Sequence, residues 1–132
     1  MNEPADEPLL PAEEALRRVP DGGVLHTLHG GLMIVRRLKH EWNEQLDSMS
    51  PAALARHTDK VRGSKFLASW TLTAYVNWTR QQVERLDWDS STTAGAETVE
   101  IGSDVGYSSG RMVQKVRIVI SSRCIHAYPV PE

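Results

Sequence analysis

Cysteine is almost absent from this chain of 132 residues, which has a single one, Cys124. An intrachain disulfide is therefore excluded, as is the cysteine framework that staples many small secreted domains. No run of apolar residues approaches the roughly 20 that a membrane-spanning helix needs. The N-terminal residues contain acids but neither a basic start nor an apolar stretch, so they do not form a signal peptide. We expect a soluble protein that is made in the cytoplasm.

The composition is that of an ordinary globular domain. Hydrophobic residues make up 40% of the chain and charged residues 24%, which argues against wholesale disorder. The length suffices for one hydrophobic core and is short for two. Acidic residues concentrate at the beginning, where no base precedes Arg17. We therefore predict a flexible acidic tail over residues 1–10 and a single domain over residues 11–132.

Three segments in the first half have features of α-helices. Residues 11–19 start with proline and continue with glutamates, which suit the positive end of a helix. In residues 32–49, apolar side chains recur three or four positions apart, which indicates one apolar helical stripe facing a sheet. Residues 51–61 follow Ser50, an N-cap candidate, and precede Gly63, which is well placed to end a helix.

The second half has the pattern of β-strands. Residues 66–78 alternate apolar with polar side chains, which favours a strand, although a helix over residues 65–86 is the alternative because no Gly or Pro interrupts them. Alternation predicts further strands at residues 98–107, 111–121 and 124–128. The predicted fold class is therefore α+β, with N-terminal helices followed by a small, mainly antiparallel sheet.

No segment of the sequence carries a recognisable catalytic or metal-binding motif. The run HEWNE at residues 40–44 resembles the start of the zincin helix, but the second histidine of that motif is missing. Two short pairs, His26 with His29 and Cys124 with His126, lack the third and fourth ligands of a structural zinc site. We therefore predict no catalytic residue, no metal site and no cofactor.

Two stretches resemble a family of assembly proteins. The run VRGSKFLASW at residues 61–70 is similar to a segment of the tail-completion (neck) proteins of tailed bacteriophages, in which an arginine-rich helix leads into a first strand. The run VEIGSDVGY at residues 99–107 resembles a later strand of that family, which ends near an aromatic residue. The positions that match in kind within the first run are Val61, Lys65, Ala68, Ser69 and Trp70.

The resemblance implies a non-enzymatic ring subunit at the head–tail or tail-end junction of a virion. Its partners would be copies of the same chain or neighbouring assembly subunits, and its final location the virion. Tryptophan supplies large contact areas in such interfaces. Our interface candidates are Trp70, Trp78 and Trp88.

A DNA-binding regulator of the winged-helix type is the alternative. The predicted order of helix, helix and hairpin fits that class, and residues 53–58 resemble the first helix of many helix-turn-helix units. Nucleic acid would then be the partner, and binding would weaken steeply with salt. A strand over residues 66–78 favours assembly, whereas a helix that continues past residue 65 favours the regulator. The phosphate contacts would be Arg56, Lys60, Arg62 and Lys65.

Overall fold

A computed structural model describes residues 12–131, which contain α-helices and two β-sheets and thus have the predicted α+β fold. The predicted acidic tail over residues 1–10, and the first residue of the predicted helix 11–19, lie outside the described residues.

The helices and strands alternate more than the sequence predicts. In chain order the elements are α1 (Glu13–Arg17), β1 (Val24–Thr27), β2 (Met33–Val35), two 3-10 turns (Leu38–His40 and Glu44–Ser48), α2 (Pro51–His57), β3 (Lys65–Phe66), α3 (Leu72–Arg85), β4 (Ala94–Glu100), β5 (Gly106–Ser108), β6 (Arg111–Val113), β7 (Lys115–Ser121) and β8 (Cys124–Val130). A five-stranded sheet has the order β1-β2-β8-β7-β4 and a three-stranded sheet the order β3-β5-β6. Because β2 and β8 are parallel, the larger sheet is mixed.

Contacts along the chain define two compact units. Unit 1 comprises the residues up to Arg36 together with 71–96 and 119–126, and unit 2 comprises residues 37–70, 97–118 and those from 127 onwards. The boundaries fall within β4, β7 and β8. The single domain over residues 11–132 stays a prediction.

The longest helix, α3, lies where the sequence predicted a strand, so the strand over residues 66–78 is wrong. Only β3 is extended there, and α3 begins at Leu72 because the Thr71 hydroxyl accepts a hydrogen bond from the Ala74 N–H at 3.1 Å. The alternation counted Tyr75 and Thr79 as polar, yet both lie on the buried stripe of the helix. The buried residues of α3 are Leu72, Tyr75, Val76, Thr79 and Val83.

The helix predicted over residues 32–49 is also wrong. Its first part is β2, in which Ile34 pairs with Ile125 of β8 and with His26 of β1. The rest forms the two 3-10 turns, which split the expected apolar stripe so that Leu46 is buried and Leu38 is exposed. The loss of helix has a tertiary cause, because strand pairing in the core outweighs a local helical pattern.

The predicted bounds of the other helices and strands lie closer to those of the structure. The helix predicted over residues 51–61 is α2, which starts after Ser50 as expected but ends at His57. The strand predicted over residues 124–128 is confirmed as β8 and extends to Val130. The predicted strand 98–107 covers the end of β4 and the start of β5, and the predicted strand 111–121 covers β6 and β7. The helix predicted over 11–19 is shorter, and strand β1 was not predicted.

Candidate interaction site

The loop that follows α2 in unit 2 has a fixed backbone. We call residues 58–63 the Val61 loop. The Asp59 carboxylate accepts hydrogen bonds from the N–H groups of Val61 at 3.0 Å and Arg62 at 2.9 Å, and the Asp59 carbonyl accepts one from the Gly63 N–H at 2.7 Å. Gly63 has a φ of +90°, a left-handed conformation that favours glycine. The hydrogen bonds of one aspartate and the left-handed conformation of one glycine thus determine the backbone conformation of the loop.

The Lys65 side chain joins this loop to the first 3-10 turn. Its ammonium donates to the carbonyls of Arg62 at 3.0 Å, Gly63 at 3.3 Å and Lys39. Lys65 is only 7% exposed, so the buried ammonium uses its three N–H groups on three carbonyls. Burial lowers the pKa of Lys65, the positive charges of Lys39 and Arg62 lower it further, and Asp59 opposes them. The arrangement is that of a backbone clamp.

His40 is buried on the inner side of the same loop. Its Nδ1 lies 2.7 Å from the carbonyl oxygen of Ser64, and because a carbonyl can only accept, Nδ1 carries the proton in this contact. The ring stacks on Tyr128 with centroids 4.9 Å apart and an interplanar angle of 15°. A Cβ at Gly63 would come within 3.3 Å of the His40 Cε1 atom. His40 therefore supports the loop by packing.

The tip of the β5–β6 hairpin holds the other end of the loop. The Thr58 hydroxyl accepts from the Gly110 N–H at 2.7 Å and donates to the Leu54 carbonyl at 2.9 Å, while the Thr58 carbonyl accepts from the Ser109 N–H at 2.7 Å. A Cβ at Gly110 would lie 2.9 Å from the Cα of Ala55. Helix α2 and the hairpin are therefore in close contact, and a larger residue at position 110 would separate them.

The Val61 loop and the end of α2 carry an exposed apolar side chain and exposed cations. Val61 is 85% exposed, the largest value among the large hydrophobic residues that are exposed in the described chain. Arg56, Lys60 and Arg62 are exposed as well, and the Arg62 guanidinium lies 3.4 Å from the His57 Nδ1 atom. We call Val61 and these three cations the Val61 surface. Helix α2, which carries Arg56, has no buried residue.

The structure separates the four predicted phosphate contacts into two kinds. Arg56, Lys60 and Arg62 point into solvent within seven consecutive positions, whereas Lys65 is the buried clamp. No local sequence pattern reveals that clamp, because only the tertiary fold brings the Lys39 carbonyl to Lys65. The turn itself had a signal in Asp59, since aspartate side chains commonly accept a hydrogen bond from the backbone two residues on.

The three tryptophans predicted as interface residues are all half-buried. Trp70 belongs to unit 2 and stacks on Phe66 with ring centroids 4.6 Å apart. Trp78 lies on α3 in unit 1, and the Trp88 ring lies 3.3 Å from where a Cβ of Gly95 would be. Each residue thus keeps part of its surface exposed, and its role in an interface stays a prediction.

Comparisons with known proteins do not assign the chain to a family. No family model matches it, and no curated protein or solved structure is significantly similar to it. Within residues 12–131, no group of three or more His, Cys, Asp or Glu side chains is arranged to hold a metal ion. The helices of that same range lack the length and apolar character of a membrane span. Function is therefore inferred from the chain's own residues.

Proposed function

We propose that this protein is a non-enzymatic assembly subunit that binds other protein subunits, foremost copies of itself, through the Val61 surface. The observation that carries the proposal is an almost fully exposed valine on a backbone that Asp59 and Lys65 hold in place. Burial of the Val61 side chain against a partner would remove its apolar surface from water, which is favourable. Because the loop is already ordered, binding does not have to restrict its backbone, and this preorganisation favours association.

A sharper form of the proposal is a neck or tail-completion subunit of a phage virion. Its support is that the two stretches of resemblance, residues 61–70 and 99–107, are neighbours in the fold. Lys65 pairs with Tyr107 and Phe66 with Gly106 in the antiparallel β3–β5 ladder. The first strand that this stretch opens in that family is not continued here, because residues 72–85 form α3, so this form of the proposal depends on the paired stretches alone.

DNA binding is the second candidate, and three exposed cations within seven positions favour it. A winged helix would place a second helix shortly after α2. In the described chain α2 is followed by the Val61 loop and β3, and α3 begins only at Leu72. Residues 66–78 form neither the strand that favours assembly nor a helix that continues directly past residue 65, which would favour the regulator. Phosphate contacts from Arg56, Lys60 and Arg62 would therefore come from a helix end and a loop.

The deciding measurement is the particle mass by light scattering after size exclusion, at low and high salt, with random duplex DNA added in a parallel run. An assembly subunit is expected to form an oligomer whose mass does not change with DNA. A single chain whose mass rises with DNA only at low salt would overturn the proposal in favour of DNA binding.

A pair of matched variants sharpens this test. Val61→Ser should weaken self-association by about tenfold, because a central apolar contact is lost. Val24→Ser is the control, since Val24 is also exposed but lies on β1 in unit 1. Equal masses for the two variants would contradict a role for Val61.

A further inference from the structure

The Val61 surface calls for a partner that is both acidic and apolar. Among the residues that the structure describes, no carboxylate forms an ion pair with Arg56, Lys60 or Arg62, although several surface ion pairs occur elsewhere. Clustered cations repel one another, and a set of carboxylates placed over them would relieve this repulsion. Val61, which lies between Lys60 and Arg62 in the sequence and is exposed, adds a requirement for an apolar side chain. A partner segment with three carboxylates and a neighbouring apolar side chain would meet the requirement for negative charge and the requirement for an apolar contact.

The chain carries one segment with this chemistry. Its first eleven residues, MNEPADEPLLP, contain three acids, two adjacent leucines and no base. We call them the acidic segment; they lie outside the described residues. The acids are Glu3, Asp6 and Glu7, and the leucines are Leu9 and Leu10. Eleven residues can span up to about 35–40 Å when extended, which is ample to reach a neighbouring molecule.

We propose that the Val61 surface binds the acidic segment of a second copy of this chain. The carboxylates lie over Arg56, Lys60 and Arg62, and a leucine covers Val61. This inference rests on the proposed assembly function and identifies its contact. Every copy has one segment and one surface, so two copies can exchange segments in a closed dimer. The same contact made head-to-tail would instead close into a larger ring or continue as a filament.

The test exchanges the charges of the two partners in the full-length chain. The segment variant carries Glu3→Lys, Asp6→Lys and Glu7→Lys, and the surface variant carries Arg56→Glu, Lys60→Glu and Arg62→Glu. Each variant alone should lose self-association by at least about tenfold, because segment and surface then have charges of the same sign. An equimolar mixture should regain the wild-type mass, since each segment again meets a surface of opposite charge.

The control variant reverses the charge at two exposed positions of unit 1 and carries Arg85→Glu and Arg123→Glu. Its particle mass should equal that of the wild type, both alone and in mixtures. Thermal unfolding of every variant checks that the fold is intact. A wild-type protein that stays a single chain would overturn self-assembly itself. A wild-type oligomer that survives either reversal, or a mixture that fails to recover, would overturn the acidic segment as the occupant while leaving assembly in place.

Discussion

Each unit uses one long charged side chain to satisfy backbone groups, but the two side chains have opposite charges. In unit 1 the Glu13 carboxylate accepts hydrogen bonds from the N–H of Leu72 at 3.0 Å and from the N–H and hydroxyl of Thr73 at 2.8 and 2.7 Å. In unit 2 the Lys65 ammonium donates to three carbonyls. A carboxylate suits the free N–H groups at the start of a helix, and an ammonium suits the carbonyls of a loop.

The two contacts stabilise different things. Glu13 joins α1 to α3, the helix that packs five side chains into the interior. Lys65 fixes a loop whose most prominent side chain, Val61, is turned towards water. Hydrogen bonds from one charged side chain to several backbone groups therefore stabilise the core in one unit and order an exposed surface in the other. The buried ammonium has a desolvation cost, and a loop that is already ordered loses less conformational freedom when it binds.

The largest effect is expected from Lys65→Met, which removes the clamp but keeps most of the side-chain volume. Three carbonyls lose their donor, so the free energy of unfolding should fall by about 2–3 kcal/mol. Lys60→Met removes the same charge from an exposed position of the same loop and should change stability by less than about 0.5 kcal/mol. Urea unfolding of both proteins provides the comparison. Equal midpoints would show that Lys65 does not act as a clamp.

A smaller effect is expected from Glu13→Ala in unit 1. The start of α3 loses its acceptor, so stability should fall by about 1–2 kcal/mol, as for other helix caps. Glu14→Ala, at the exposed neighbouring position, is the control and should be close to neutral. Hydrogen exchange of the Leu72 and Thr73 amides should become faster in Glu13→Ala only. Unchanged exchange at these amides would contradict the capping role.

The smallest effect concerns pH. Burial would raise the pKa of Glu13, but hydrogen bonds from the Thr73 hydroxyl, from the Thr73 and Leu72 amides and from Arg17 outweigh it and lower the pKa below its usual 4.5. A carboxyl whose pKa is lower in the folded chain stabilises it above the usual pKa, and this contribution is lost as pH falls through the folded value. The stability difference between wild type and Glu13→Gln should therefore be about 0.5–1 kcal/mol near neutral pH, allowing for partial exposure, and vanish in acid. A difference independent of pH would exclude the carboxylate charge as its source.

Local signals in the sequence predicted some elements well. Ser50 and the proline after it located α2, and alternation located β8. Strand β2 and helix α3 escaped because their patterns are ambiguous in isolation. A three-residue strand such as β2 exists only through its partners β1 and β8, and the stripe of α3 includes Tyr75 and Thr79, which a simple division into polar and apolar residues misplaces.

The candidate site was predictable only in part. The sequence predicted Arg56, Lys60 and Arg62 as phosphate contacts, a role that stays a prediction, and the structure shows all three residues exposed. It placed Lys65 with them, since charge alone does not reveal burial. The contact between Lys65 and the Lys39 carbonyl joins positions 26 residues apart, and no local pattern encodes it.

The contact between α2 and the β5–β6 hairpin has a consequence for tracing this protein's ancestry. Thr58 and Gly110 are 52 positions apart, yet the hydroxyl of one meets the amide of the other, and no side chain fits at position 110. Substitutions at the two positions should therefore be coupled across any lineage that keeps the loop. Diverged relatives could be recognised by a shared sequence signature. The signature consists of a threonine and an aspartate, a glycine four residues after the aspartate, a lysine two residues after that glycine, and a distant glycine in a hairpin.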